Sequence, residues 1–195
     1  MSFLKTQPEN TATGEVEKLY KETRDDLGYI PNFVKAFSHR PEVMASFNQF
    51  LASIRDNMDL RRYELVTLAA AKEMKNSYCM LAHGSVVLRE FHDAEELTKI
   101  ANDPETAPLS EEDKAIMAFA AKVVRDASST TEMDVEALRA HGLSDAEIFD
   151  ITAAASARCF MSKVNDATGT LPDELYNSLD PALKDALTVG RPISE

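Results

Sequence analysis

A cysteine and a histidine stand four residues apart, just past a polar break: Lys75-Asn76-Ser77-Tyr78-Cys79-Met80-Leu81-Ala82-His83. A helix opening near Asn76 or Ser77 puts Cys79 in its first turn. There the unpaired N–H groups and the positive end of the helix dipole favour a thiolate over a thiol. His83 then lies on the same face, one turn further along. A reactive thiolate with an imidazole beside it is one reading of this spacing. Plain packing is the other, because free cysteine is among the residues most often buried. His83 taken alone fits a satisfied core histidine, a general acid–base or a metal ligand.

Glu64 is the third candidate, an acid on an otherwise apolar helix face with Leu65, Val66, Leu68, Ala69 and Ala70 around it. On one unbroken helix its side chain would stand roughly 22 Å from Cys79. The break at Lys75–Ser77 must therefore fold the second helix back, and a tight hairpin in step brings Glu64 to residues after His83. Cys79 and His83 also have the spacing to share a zinc ion, with Glu64 or His92 completing the set. No His-x-x-x-His pair exists and the ligands are not grouped, so neither a metal nor a cofactor is expected. Cys159 reads as buried packing. Arg158 and Lys163 interrupt an apolar helix and would pair with acids or face another subunit. Asn32, Asp145 and Glu147 read as turn and cap residues.

The elements that must position these residues read as helix nearly throughout. The chain has only six glycines, and no run alternates with period two. Helices are expected over about 13–27, a short stretch to about 38, 41–56, 60–74, 77–91, 110–126, 132–140 and 144–168, with 93–97 a short acidic piece. Gly28 stops the first helix, Pro41 opens the third, and Asp59, Ser110 and Ser144 are N-caps. Val43, Phe47, Phe50, Leu51 and Ile54 are assigned to one inner face, and Met44, Met58, Met80, Met117 and Phe119 to the core. Residues 173–195 read as short helical turns and a tail that docks on a neighbouring subunit. The fold class is an all-α bundle.

The 195 residues suit one domain with an appended arm, and 44% apolar content is enough for a core. The net charge of −12 disfavours nucleic acid and anionic membrane as partners. No stretch is apolar enough to span a bilayer, and no basic segment leads into an apolar run at the N-terminus. The expectation is a cytoplasmic protein, in which a disulfide between Cys79 and Cys159 is disfavoured.

Arg62-Tyr63-Glu64-Leu65-Val66-Thr67-Leu68, followed by Asn76-Ser77-Tyr78-Cys79-Met80-Leu81-Ala82-His83-Gly84, resembles the carboxymuconolactone decarboxylase/alkylhydroperoxidase AhpD-like superfamily. Leu27-Gly28-Tyr29-Ile30-Pro31-Asn32-Phe33 and Leu138-Arg139-Ala140-His141-Gly142-Leu143-Ser144-Asp145-Ala146-Glu147-Ile148 are similar to its peroxidase-related branch. The likeness covers roughly 25–172, with 1–24 as an N-terminal helical arm and 173–195 as the tail. It implies an AhpD-like helical bundle assembled as a trimer or hexamer. It further implies an oxidoreductase in which Cys79 attacks a hydroperoxide, while Glu64 and His83 relay a proton. Tyr78 stands where some relatives carry another histidine. Asn76 stands in place of the pattern's first, resolving cysteine, so an external thiol reductant or Cys159 must resolve the oxidised Cys79. Two alternatives go with the resemblance: proton transfer on a lactone, as in the family's namesake, or a helical oligomer whose site is vestigial.

Overall fold

The computed structural model describes residues 2–195, and among them the regular structure is entirely helical. The helices are α1 (Gly14–Leu27), α2 (Asn32–Ala36), α3 (Pro41–Arg55), α4 (Leu60–Glu73) and α5 (Ser77–Glu90). Then follow α6 (Ala94–Asn102), α7 (Glu111–Asp126), α8 (Glu132–Ala140), α9 (Asp145–Ala167) and α10 (Pro181–Leu187). Short 3₁₀ turns fill the gaps at Glu9–Thr11, Phe37–His39, Ala127–Ser129 and Glu174–Ser178.

The boundaries follow local chemistry. Gly28 takes the left-handed conformation, with φ of 81°, that ends α1. Asp59 accepts the Arg62 N–H to open α4, and Asp93 accepts that of Glu96 to open α6, which runs further than the acidic piece expected from sequence. Ser144 and Glu147 close a reciprocal capping box at α9.

Helix α4 is the centre of the bundle and packs against α5, α7 and α9. Its residues from Tyr63 to Ala71 are all buried, which is why its sequence is apolar nearly all round. Helix α3 lies over α9, α7 also packs on α9, and α1 sits on α2 and α3.

Three expectations are corrected. Val43 and Phe50 face outward, 38% and 50% exposed, and the inner stripe of α3 is Met44, Phe47, Leu51 and Ile54. Two apolar stripes share Phe47 and Ile54 on this helix, and packing against α9 selects one of them. The boundary drawn at 24/25 falls inside α1, which with Val16, Tyr20, Ile30 and Val34 forms a small core of its own. The C-terminal segment, expected to dock on a neighbouring subunit, packs on its own chain. Helix α10 docks on α5 and α6 of its own chain, and Leu183 and Leu187 are fully buried in the main core.

Candidate active site

The site is built on the turn between α4 and α5. Lys75, with φ of 54°, turns the chain, and the Asn76 N–H reaches back to the Ala71 carbonyl at 2.9 Å. Asn76 is fully buried and caps α5: its Oδ1 accepts the Cys79 N–H at 2.8 Å. Its Nδ2 donates to Asp166 Oδ2 at 2.9 Å and to the Ser162 carbonyl at 3.2 Å, tying the turn to α9. The position that the resemblance assigns to a first, resolving cysteine thus holds a structural amide here, with each of its polar groups bonded.

Cys79 therefore lies in the first turn of α5, as its spacing predicted, and is 2% exposed. Its sulfur receives two donors from α9: Ser162 Oγ at 3.3 Å and Arg158 Nη1 at 3.8 Å. Arg158 Nη2 donates to the Tyr63 hydroxyl at 3.0 Å. No carboxylate lies within ion-pair distance of this buried guanidinium among the described residues, so the expected acid partner is absent there. Burial works to lower its pKa, but the adjoining Cys79, Tyr63 and Glu64 outweigh burial and hold it above its ordinary value.

Glu64, 3% exposed, meets His83 itself, with Oε2 to Nδ1 at 2.6 Å. The hairpin was expected to bring Glu64 to residues beyond His83, but the two helices leave the turn out of step. Burial and the nearby Arg158 charge lower the pKa of His83, against the opposing pull of Glu64, so the imidazole stays neutral below its usual range. His83 is not among the hydrogen-bond partners of the Cys79 sulfur; the two side chains line one cavity.

That cavity holds about 430 Å³. Phe33, Met44, Leu51, Leu60, Val86 and Met161 form its apolar wall, and Cys79, His83, Glu64, Tyr63, Arg158 and Asn165 its polar end. Tyr78 also lines it, and its hydroxyl donates to Asp173 and accepts the Phe33 N–H at 3.1 Å. Asp173 in turn accepts the Asn32 N–H at 2.8 Å. Tyr78 thus locks α2 and the start of the tail against α5.

Cys159 is adjacent to Arg158 on α9 but does not line the cavity. Its thiol points back to the Ala155 carbonyl at 3.6 Å, and burial raises its pKa. Both cysteines are free. His92 pairs with Glu96 at 3.0 Å, and no cluster of three potential metal ligands occurs among the described residues.

Sequence reasoning missed Arg158, Ser162 and Tyr63 as members of the site. The available signal was Arg158 itself, a charge inside the apolar run Ala153-Ala154-Ala155-Ser156-Ala157 to Met161.

No protein-family model and no curated protein matches the chain by sequence. Solved structures do match by shape. An AhpD-core, uncharacterized peroxidase-related protein from Ralstonia eutropha JMP134 superimposes with a TM-score of 0.80 at 20% identity, over 97% of this chain and 98% of its own. An uncharacterized peroxidase-related protein from Silicibacter sp. TM1040 gives 0.81 at 25% identity, over 91% and 94%. The debrominase Bmp8, as a cysteine-to-alanine variant in complex with 2,3,4-tribromopyrrole, gives 0.70 at 15% identity, over 93% and 94%. Glu64, Cys79 and His83 thus stand together on a fold that this chain shares with AhpD-core and peroxidase-related structures.

Proposed function

We propose that the chain is a thiol peroxidase of the AhpD-like kind. The observation that carries this reading is the position of the Cys79 sulfur. It receives Arg158 and Ser162 as donors and opens on the same cavity as the Glu64–His83 pair. Two donors aimed at sulfur stabilise its negative charge, and the guanidinium is the stronger because it is itself charged. Glu64 accepts the His83 Nδ1–H, which leaves Nε2 to take the Cys79 proton through the cavity.

The thiolate then attacks the distal oxygen of a hydroperoxide. A sulfur–oxygen bond forms, the O–O bond breaks, and the electron pair leaves with the alkoxide. The alkoxide takes the proton from His83 and departs as an alcohol. Cys79 has been oxidised by two electrons to a sulfenic acid. An external thiol condenses with it to a mixed disulfide and water, and a second thiol restores Cys79. Asn76 offers no sulfur, and Cys159 lies outside the cavity, which supports an external reductant. The assembly implied by the resemblance, a trimer or hexamer, belongs to the same proposal, and sedimentation analysis counts the copies.

The experiment is thiol-dependent turnover of an alkyl hydroperoxide by wild type and Cys79→Ser. Loss of turnover in Cys79→Ser with retention in Cys159→Ser is the expected result, and undiminished turnover in Cys79→Ser overturns it.

One observation favours a second reading, proton transfer on a carboxylate-bearing lactone. Arg55, Arg89 and Arg158 line the cavity, where the sequence offered no obvious basic pocket. The nearby Arg61 and Arg62 are occupied by Asp113, Glu112 and Glu147. Lactone turnover that survives in Cys79→Ala would select this reading.

A further inference from the structure

The chain has ten arginines. Eight of them, Arg24, Arg40, Arg61, Arg62, Arg89, Arg125, Arg139 and Arg191, lie within 4.0 Å of a carboxylate oxygen. The remaining two, Arg55 and Arg158, have no such partner among the described residues, and both line the cavity that holds Cys79. In a chain with 33 acidic residues against 21 basic ones, acid partners are in surplus. Two arginines left without one, in one cavity, mark a place kept positive.

Arg158 is answered by the Cys79 sulfur and the Tyr63 hydroxyl. Arg55, which is exposed to solvent, meets neither an acid nor a side-chain or backbone acceptor among the described residues. It stands in the last turn of α3, with its guanidinium carbon 5.4 Å from the centroid of the Tyr63 ring, the ring whose hydroxyl bonds Arg158. Its charge is felt at His83, whose proton affinity it helps to lower. Glu64, the one acid among the described residues that line the cavity, is engaged by His83. Leu51, Met44 and Met161 are among the apolar residues that line the same cavity. At about 430 Å³ the cavity is far larger than hydrogen peroxide needs. It lies within the range of roughly 300–1,000 Å³ typical of pockets for organic ligands.

We propose that the substrate is an organic hydroperoxide with an apolar body and a carboxylate, the carboxylate held by Arg55 and the hydroperoxide presented to Cys79. This rests on the Cys79 chemistry proposed above. A guanidinium with its donor fork free is suited to a carboxylate, which it meets with two parallel hydrogen bonds. A neutral ester or amide of the same body keeps the apolar contacts and loses that pair.

The test has two arms. In the first, reduced wild-type protein without peroxide is titrated calorimetrically with octanoate and with octanamide, and the titration is repeated on Arg55→Gln and Arg55→Lys. Octanoate should bind at least tenfold more tightly than octanamide to wild type. The preference should vanish in Arg55→Gln and return in part in Arg55→Lys. In the second arm, kcat/KM is measured for the hydroperoxide of an unsaturated fatty acid and for its methyl ester, and the acid should be favoured by a similar factor. Equal binding of octanoate and octanamide, or a preference that persists in Arg55→Gln, overturns the carboxylate site. A carboxylate preference with no peroxide turnover instead overturns the Cys79 chemistry and the hydroperoxide half of the proposal.

Discussion

In the proposed chemistry Arg158 governs what Cys79 can do, and its effect is separable from packing because the same charge acts on His83. Removing it takes a donor from the sulfur and also relieves the pressure that lowers the His83 pKa. Arg158→Met should therefore slow alkylation of Cys79 by iodoacetamide by about tenfold or more, the weight of one charged hydrogen bond. It should also move the acid limb of the kcat/KM profile to higher pH, a shift that a merely structural residue would not cause. The sign for stability follows from the same group. His83 has a folded pKa below the ordinary 6.5, so its unfolded form takes up protons first as the solution is acidified. The stability carried by neutral His83 is whole above pH 6.5 and is lost as pH falls from there through the folded value. Denaturant titration of His83→Gln should show a flatter dependence over that window. Asn76 supplies a further prediction at this scale. Asn76→Cys restores the two-cysteine spacing and should yield an internal disulfide with Cys79 after peroxide, seen by mass spectrometry. The lost cap should cost about 1 kcal/mol in a denaturant titration. Cys79, His83 and Glu64 were legible in the sequence because their types and spacing carry chemistry. Ser162 and Tyr63 were not, since a hydroxyl in a helix gives no sign of what it faces until the helices are packed.

The α4–α5 turn is the element on which the site depends, and the C-terminal segment clamps it. Gly190 donates its N–H to Ser77 Oγ at 2.8 Å and lies so close to Lys75 that a Cβ would fall 1.9 Å from the Lys75 carbonyl oxygen. The obstacle is backbone rather than a flexible side chain, so the segment must move away. Gly190→Ala should lower stability by about 1–3 kcal/mol, as overpacking does, and reduce peroxide turnover although it touches no residue of the cavity wall. Thermal denaturation and the peroxidase assay on one preparation check both halves. The boundaries of these helices were legible because Asp59, Asn76, Ser144 and Gly28 are local signals acting on their own backbone. The inward face of α3 was not, because Val43 and Met44 are equally apolar and only the shape of α9 decides between them. The step between α4 and α5 was hidden for the same reason: it is set by packing against α7 and α9.

Across the whole molecule, the chain folds its tail into its own core, a placement that no local motif announced. Leu183 and Leu187 are fully buried, and each such side chain contributes about 1.5–3 kcal/mol. Against a total stability of about 5–15 kcal/mol for a domain, losing both is severe. Truncation after Leu179 should therefore leave a protein with broadened or absent cooperative unfolding by circular dichroism, whereas a freely appended tail would be removed without effect. The all-α class and the likeness to AhpD-core structures were legible because composition and a few motifs spread along the chain agree. The positive cavity in an acidic chain was not, because Arg55, Arg89 and Arg158 come together only when α3, α5 and α9 do. The proposed chemistry turns on one sulfur atom. Reduced wild-type protein is treated with one equivalent of an alkyl hydroperoxide and no thiol, trapped with dimedone, and mapped by peptide mass spectrometry. A single sulfenic-acid adduct on Cys79, with Cys159 unmodified, is the expected result. An unmodified Cys79, or an adduct confined to Cys159, would contradict it.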